Sequence, residues 1–344
     1  MNVLHLLDES CSPDSRAEAR ALPGDGEPLV LADNLATCLA RPGAELRRRL
    51  AGVQAVVCWS ARLAATAVRA QRLLPVFVRL LEAPSEDDIG LLARLRAGGG
   101  SVTVVCHTPA IAWQLERDCR GHVAVIPAAA IVSGDAPATA SGRETRRAEA
   151  RRRYGLAPDD IAVIAPGRVS EASRHKQAVW AAAILCEAGL AMRILLPGGG
   201  LWAREAAAFA ADAGFGKCCV QAGADELDRL VAAGELALLL HEGPIPPVSL
   251  ASVMAGGVPI VAGLQAQTGE VAFGAARPLG LDHERTALLV DANQPRLIAG
   301  GLLRLIEDRD LAGRLAAEAQ QEVAGQSLAA VAGAWRALVA QSPQ

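Results

Sequence analysis

Short apolar runs alternate with helix-like segments along this chain, and this alternation limits the fold more than any other feature of the sequence. In the first half the runs include Val3 to Leu7, Ala55 to Cys58, Val76 to Leu80 and Val102 to Cys106. A predicted helix from Ile89 to Ala97 ends in three glycines, the usual signal for a helix C-terminus. Strands that alternate with helices pair in parallel, so the pattern predicts an α/β fold with doubly wound sheets.

The alternation stops at residues 133–142 and then begins again. This stretch is rich in Ser, Ala, Gly, Thr, Asp and Pro, a composition typical of a linker. We therefore predict an N-terminal domain over residues 1–132 and a C-terminal domain over residues 143–325, since 344 residues suit two domains better than one. Two similar halves joined in this way are expected to form a cleft, which is a favoured place for ligands.

Composition excludes several classes of protein. With 51% hydrophobic residues the chain can bury large cores, and with a net charge of -3 it is not expected to bind nucleic acid. Its eight cysteines show no CxxC spacing, which predicts no metal site and a reducing, cytoplasmic location. No secretory signal or membrane-spanning run is visible, so we expect a soluble protein. Arginine clusters at residues 47–49 and 151–153 are interpreted as solvated helix faces, although they leave peripheral contact with the inner membrane face open.

The stretch from His241 to Val261 is the most informative about a site. An apolar run, Leu236 to Leu240, is followed by an acidic residue, a proline-rich loop, a helix-like segment beginning near Pro247 and a second apolar run. Ligands of open α/β sheets bind at the carboxyl edge of the strands, and a helix N-terminus at that edge favours phosphate. A structural strand–loop–helix turn without a ligand fits the same residues.

Three charged residues are predicted to meet at this edge. Arg168 follows the apolar run Ile161 to Ala165, Lys176 opens the next helix, and Glu242 follows the run before Pro247. Two cations and a carboxylate beside a helix N-terminus suit a diphosphate that carries a hydroxylated group. Each residue alone also fits a surface ion pair.

These motifs resemble the donor domain of group-1 (family 4 type) retaining glycosyltransferases, which have the GT-B fold. The resemblance is dense from about Gly167 to Val290 and thin before Val102. The matching segments are Gly167-Arg168 with Lys176, the glycine-rich turn Leu195–Gly200, Gly223–Leu227, the Glu-Gly-x-Pro loop Glu242–Pro246, Ser252–Val261, Thr286–Asn293 and, in the N-terminal half, Val125–Pro127.

The resemblance implies two Rossmann-like domains that face each other across a cleft. It also implies a hexosyltransferase-type enzyme that moves a sugar, with retention, from a nucleotide-diphospho-sugar to a hydroxyl of a glycan, lipid-linked or small-molecule acceptor. No metal or other cofactor is expected. The last segment, residues 326–344, would pack back on the N-terminal domain with Trp335 as its anchor, or would form a plain amphipathic end helix.

By the same resemblance, Arg168 and Lys176 would neutralise the diphosphate and Glu242 would contact the donor sugar, so these three are the predicted catalytic residues. The predicted donor-binding residues are Gly167, Gly198, Gly199, Gly243, Pro247, Val248, Ser249 and Ser252.

The sequence departs from the family pattern in several places, among them residues 8–12, which stand where the family has a Gly-Gly loop near the phosphates. Ser252 stands where the family has a second glutamate for the ribose, and Leu81-Glu82 stands where it has an acceptor-domain histidine. We take Glu82 and His107 as acceptor-side residues; a helix-start carboxylate and a satisfied strand-end histidine explain them as well. The departures favour an alternative, a catalytically degenerate GT-B protein that binds nucleotide-sugar or glycan or acts as a partner subunit. A third possibility is another GT-B enzyme, such as an epimerase or phosphorylase, although the Glu-Gly-x-Pro loop speaks against it.

Overall fold

A computed structural model describes most of the chain, and its contacts divide the chain into two compact units. Unit 1 is Met1–Ala128 with Leu328–Gln344, and unit 2 is Ala129–Ser327. None of the helices in the described segments is long and apolar enough to cross a membrane. The described residues are 2–8, 11–22, 24, 28–31, 44–82, 84–99, 101–119, 121–132, 140–167, 169–171, 173–197, 200–223, 226–242, 245–263 and 281–341.

Unit 1 is built on a parallel sheet of six strands in the order β2-β1-β3-β4-β5-β6. Neighbouring strands are connected through helices, as right-handed crossovers between parallel strands require. Its strands are β1 (Val3–Asp8), β2 (Leu29–Leu31), β3 (Ala55–Cys58), β4 (Val76–Leu80), β5 (Val102–Cys106) and β6 (Val123–Val125). Its helices are α1 (Pro13–Ala21), α2 (Ala44–Leu50), α3 (Ala61–Ala70), α4 (Glu86–Ala97), α5 (Pro109–Cys119) and, from the chain's end, Leu328–Ala340.

Serines begin three of these helices. The hydroxyl oxygens of Ser12, Ser60 and Ser85 accept hydrogen bonds from backbone N–H groups in the first turns of α1, α3 and α4. Ser85 and Asp88 form a reciprocal capping box, so α4 begins at Glu86, three residues before the predicted start at Ile89. Each cap satisfies an N–H group that has no acceptor within its own helix.

A buried ion pair lies at the centre of unit 1. Arg79 of β4 donates to Glu18 of α1 at 2.8 Å, and both side chains are fully buried. The same guanidinium donates to the carbonyl oxygens of Cys106, Ile126 and Pro127. It also lies over the ring of Trp335 from the C-terminal helix. The pair therefore joins the first helix, three strand ends and the last helix of the unit.

Unit 2 holds a second parallel sheet, in the order β12-β11-β10-β7-β8-β9. Its strands are β7 (Ile161–Ile164), β8 (Met192–Pro197), β9 (Cys219–Ala222), β10 (Leu236–Leu239), β11 (Ile260–Gly263) and β12 (Leu288–Val290). Its helices are α6 (Ala140–Arg153), α7 (His175–Glu187), α8 (Gly200–Asp212), α9 (Leu227–Ala233), α10 (Pro247–Ala255), α11 (Pro295–Glu307) and α12 (Arg309–Glu322); the C-terminal helix Leu328–Ala340 of unit 1 becomes α13.

Both faces of this second sheet are buried. In β7, Ala162 and Ile164 belong to one hydrophobic core, whereas Val163 belongs to the core on the other face. Successive side chains of a strand point to opposite faces, and a parallel sheet covered by helices on both faces needs apolar residues at every position. This is why the strands read as continuous apolar runs in the sequence.

Helix α6 begins inside the predicted linker. Residues 133–139 of the predicted linker lie outside the described residues, but residues 140–142 form the first turn of α6. Small polar residues such as Ser141 and Gly142 are tolerated in a first turn, where the N–H groups lack intrahelical acceptors. Helix α6 therefore begins three residues before position 143, and the bounds of the two domains stay a prediction.

Candidate functional site

The strand order of unit 2 creates one point at which the chain changes direction across its sheet. The strands β7 and β10 are neighbours, and successive crossovers run away from them in opposite directions. A crevice opens at the carboxyl ends of such a strand pair, and ligands of open α/β sheets bind there. The segments that leave these two strand ends are residues 165–167 and 240–242.

Gly167 allows the two segments to approach closely. Its φ of +98° lies in the left-handed region. A Cβ atom at this position would lie 3.1 Å from Cγ of Pro246 and 3.4 Å from Cε1 of His241. A side chain here would displace the loop that follows β10, so a glycine is required for packing as well as for backbone geometry. The predicted residues Arg168, Gly198, Gly199 and Gly243 lie outside the described residues.

Two neutral histidines lie behind this edge. His175 at the start of α7 donates from Nε2 to the carbonyl oxygen of Ala165 at 3.1 Å, and its Nδ1 lies 2.5 Å from Oγ of Ser173. Burial lowers the pKa of His175 to about 4. Burial and the neighbouring His175 lower the pKa of His241 to about 3. Neither ring nitrogen of His241 has a hydrogen-bond partner in the described part of the protein, so His241 is a neutral ring with unused donor and acceptor capacity.

These histidines make stability depend on pH. Unfolded histidine titrates near pH 6.5 and takes up protons that the folded protein does not, so the free energy of unfolding should fall as pH drops from about 6.5 to 4. For His175 alone the loss amounts to roughly 3 kcal/mol across that window, at 1.36 kcal/mol per pKa unit. Urea denaturation at pH 7 and pH 5 measures this change in the free energy of unfolding.

The matched variants are His175→Gln, which should reduce this pH dependence, and His122→Gln, which should leave it unchanged because the His122 side chain is 83% exposed. Equal stability of the unsubstituted protein at pH 7 and pH 5 would contradict the assignment.

A cavity of about 300 Å³ at the same edge contains two of the predicted catalytic residues, Lys176 and Glu242. Nζ of Lys176 lies 3.1 Å from Oε2 of Glu205 and 5.9 Å from the centre of the Trp202 ring. The structure therefore brings Lys176 and Glu242 together as the sequence predicted. The cavity is lined by Val169, Ser170, Glu171, Arg174, His175, Lys176, Gln177, Trp202, Ala206 and Glu242.

Arg174 is a site residue that the sequence interpretation missed. Its Nη2 donates to Oε2 of Glu242 at 2.8 Å, and its side chain is only 16% exposed, against 59% for Glu242. Arg174 has a φ of 51°, in the left-handed region, and is the residue immediately before α7. Its position two residues before Lys176 was visible in the sequence, but no local pattern indicated an ion pair with a residue 68 positions away. Trp202 was missed for the same reason.

Ser252 lies in the second turn of α10 and forms its hydrogen bonds within the protein. The Ser252 hydroxyl donates to the carbonyl oxygen of Val248 at 2.6 Å and accepts from the N–H of Ile131 at 2.8 Å. Ser252 is fully buried and bonded within the protein, and its role in donor binding stays a prediction. A helical serine commonly bonds the carbonyl four residues earlier, which explains the bond to Val248. Pro247, Val248 and Ser249 are also buried, and none of the three is among the described residues that line the cavity.

The predicted acceptor-side residues, Glu82 and His107, follow the neighbouring strands β4 and β5, and the His107 ring forms a hydrogen bond with the backbone of Leu80. Glu82 is exposed and lines a cavity of about 320 Å³ in unit 1, with the hydroxyls of Ser12, Ser15 and Ser60 among its other lining groups. His107 is not among the described residues that line this cavity. Burial and the charge of Arg79 lower the pKa of His107 to about 4, so this ring is neutral near pH 7.

Solved structures resemble this chain over nearly its full length. No family model matches the sequence. No curated protein matches it. HepE of Anabaena in complex with UDP-glucose is 15% identical, covers 99% of this chain and 100% of its own, and has a TM-score of 0.69. A sucrose-phosphate synthase from Thermosynechococcus elongatus is 15% identical, covers 99% of each chain and has a TM-score of 0.64.

A glycosyltransferase from Rickettsia africae ESF-5 is 12% identical, covers 98% of this chain and 97% of its own, and has a TM-score of 0.66. At such identities the likeness concerns the fold alone. With two parallel six-stranded sheets and full-length agreement with these structures, the chain has the fold of the GT-B glycosyltransferases, as its motifs predicted.

Proposed function

We propose that this protein is a glycosyltransferase that moves a sugar, with retention, from a nucleotide-diphospho-sugar to a hydroxyl acceptor. The observation that carries the proposal is the cavity at the carboxyl ends of β7 and β10, where Lys176, Arg174 and Glu242 meet. A phosphate-binding cation, a carboxylate for sugar hydroxyls and an apolar ring line one concave site. The solved structure of the similar HepE contains UDP-glucose, which makes a uridine diphosphate sugar the first donor to test.

Lys176 is assigned to the diphosphate. Its ammonium group is bound to Glu205 on a half-exposed surface, so a diphosphate can replace that carboxylate at little cost. As the bond to the sugar breaks, negative charge grows on the leaving diphosphate. A cation fixed beside it stabilises this charge more than it stabilises the bound donor, and only such a difference lowers the barrier. Arg168 is proposed to add a second cation.

Glu242 is assigned to the donor sugar, and Arg174 holds it in place. Because Arg174 is mostly buried and donates to Oε2 of Glu242, the carboxylate has a fixed orientation at the mouth of the cavity. An ionised carboxylate accepts hydrogen bonds from sugar hydroxyls with both oxygens. Trp202, whose ring is 37% exposed beside Lys176, offers an apolar face for the nucleobase.

One observation favours the alternative, a protein of this fold that binds nucleotide-sugar or glycan, or serves as a partner subunit, without turnover. The buried Ser252 occupies the position of the family's second glutamate, and its hydroxyl is already bonded to Val248 and Ile131. It therefore provides no side-chain group for the ribose of a nucleotide. The two functions differ in turnover, which a direct assay measures.

The experiment is calorimetric titration with UDP, GDP, ADP and their common sugar conjugates, together with an assay for released nucleoside diphosphate. We expect selective binding of one base with micromolar affinity and slow donor hydrolysis. The anomeric configuration of the product, followed by NMR, tests retention.

The Glu242→Gln variant should retain nucleotide binding but lose donor hydrolysis, since the nucleotide does not contact this carboxylate. Glu187→Gln is the matched control, because Glu187 is exposed at the far end of α7. Binding without hydrolysis supports the non-catalytic alternative. No binding of any nucleotide contradicts the glycosyltransferase function, and leaves only glycan binding or a subunit role from the alternative.

A further inference from the structure

Unit 2 contains a second cavity at the opposite edge of its sheet. This cavity, of about 530 Å³, is lined by residues that immediately precede strands, Gly234-Glu235 before β10 and Gly256–Pro259 before β11. The candidate donor site is formed instead by residues that follow β7, β8 and β10. The length of the strands therefore separates the two cavities, and no residue lines both of them.

Four arginines line this second cavity, which we call the arginine pocket. Arg143, Arg146 and Arg147 come from α6, and Arg309 is the first residue of α12. Arg147 donates to Oε1 of Glu235 at 3.0 Å. Within the described ranges, the side chains of the other three arginines form no ion pair or hydrogen bond with another residue.

The carboxylates of the pocket do not balance these cations. Arg147 and Arg151 share Oε1 of Glu235, so this one negative charge already faces two guanidinium groups. Asp228 supplies the second carboxylate of the lining. Four guanidinium groups thus line the same space as two carboxylates, and the pocket carries a net positive charge.

Positions on α6 show that this charge costs stability in the absence of an anion. Arg146 follows Arg143 by three residues and Arg147 follows it by four, spacings at which like charges on a helix repel. In addition, Arg309 is the first residue of α12 and Arg143 is the fourth residue of α6, and near a helix N-terminus the dipole repels cations and attracts anions. A bound anion would relieve both effects.

Two adjacent glycines, Gly256 and Gly257, line the pocket. Gly257 has a φ of +68°, and a Cβ there would lie 2.8 Å from Nε2 of Gln320. A Cβ at Gly256 would collide with Val231. Nε2 of Gln320 donates to the carbonyl oxygen of Ala255, which fixes one wall. The two glycines therefore let the side chains of Val231 and Gln320 pack directly against the backbone, which holds these parts of the lining in place.

We propose that the arginine pocket binds an anion with two or more phosphate groups. Guanidinium groups recognise phosphate oxygens in pairs, and several of them at one concave site select multiply charged phosphates over single ones. The volume suits a ligand of nucleotide size. A free phosphorylated metabolite fits better than a lipid headgroup, because Val132 is the one large exposed apolar side chain among the described residues that line the pocket.

Calorimetric titration with inorganic pyrophosphate tests the site in the full-length protein. Arg146→Gln should weaken pyrophosphate binding tenfold or more. Arg152→Gln should not change it, since Arg152 is an exposed arginine of the same helix that does not line the pocket. Equal melting temperatures of the two variants show that both are folded.

Lys176→Ala separates this site from the candidate donor site. This variant should still bind pyrophosphate at the arginine pocket, and that binding should still be weakened by Arg146→Gln. The result does not depend on whether nucleotides bind at the candidate donor site. Sedimentation with phosphatidylcholine vesicles that contain phosphatidic acid distinguishes a lipid phosphate from a free phosphorylated metabolite. If Arg146→Gln loses vesicle binding and Arg152→Gln keeps it, the ligand of the pocket is a lipid phosphate. Equal pyrophosphate affinity and equal vesicle binding of Arg146→Gln and Arg152→Gln would overturn the proposal, as would loss of pyrophosphate binding in Lys176→Ala alone.

Discussion

Replacement of Glu18 by alanine is expected to lower the free energy of unfolding of unit 1 by about 3–5 kcal/mol, the cost of leaving a buried charge without its partner. The charge left behind is Arg79, which is 1% exposed and cannot reach water without opening the unit. Native domains are stable by only about 5–15 kcal/mol, so this loss is a large fraction of the total.

The structure explains why Arg79 would not simply move away. Its guanidinium also donates to the carbonyl oxygens of Cys106, Ile126 and Pro127, at the ends of β5 and β6, and it lies over Trp335 of α13. Movement of Arg79 would break these bonds as well. Urea denaturation, with hydrogen exchange of unit 1 amides to locate the transition, measures the effect.

Two controls test whether the unpaired charge of Arg79, and not the loss of side-chain contacts in general, causes the loss of stability in Glu18→Ala. The double variant with Glu18→Met and Arg79→Met should be more stable than Glu18→Ala, because apolar replacement of a buried ion pair is often neutral. Arg117→Ala removes an ion pair with Asp118 in which the arginine is 60% exposed, and should cost far less stability than Glu18→Ala. Similar losses for Glu18→Ala and Arg117→Ala would show that the Arg79 charge is not the cause.

Replacement of Lys176 by alanine is expected to weaken nucleoside diphosphate binding by about 10- to 150-fold. A hydrogen bond to a charged group contributes about 1.5–3 kcal/mol, and each 1.4 kcal/mol corresponds to a factor of ten. The loss of the Glu205 contact offsets little of this, since that pair is half-exposed. Calorimetric titration with the diphosphate selected from the donor panel measures the change.

The chain provides its own control, because Lys217 is its only other lysine. It is exposed at the 3₁₀ turn Gly216–Cys218, and Lys217→Ala should leave nucleotide affinity unchanged. Reductive methylation with ¹³C-formaldehyde keeps the charge of both side chains and labels them for NMR. The Lys176 signal should shift as nucleotide is added while the Lys217 signal stays fixed. Nucleotide binding with an unmoved Lys176 signal would exclude Lys176 from the site.

Local sequence signals predicted the elements of the fold because each element depends on nearby residues. Strands covered on both faces must be apolar throughout, and runs such as Ile161 to Ala165 were therefore readable as strands. The start of α4 was readable too. Ser85 and Asp88 have the spacing of a capping box, a signal that the prediction from Ile89 overlooked.

The sequence by itself determined the two parallel α/β sheets and the meeting of Lys176 with Glu242, because residues that follow parallel strands must lie at one edge. Only the tertiary structure decided that β7 lies beside β10 and that Arg174 pairs with Glu242. It also decided that the Ser252 hydroxyl forms hydrogen bonds with the backbone of Val248 and Ile131. These outcomes depend on which distant segments pack together. Such contacts are selected by the burial and hydrogen bonding of the whole unit, and no short window of sequence contains them.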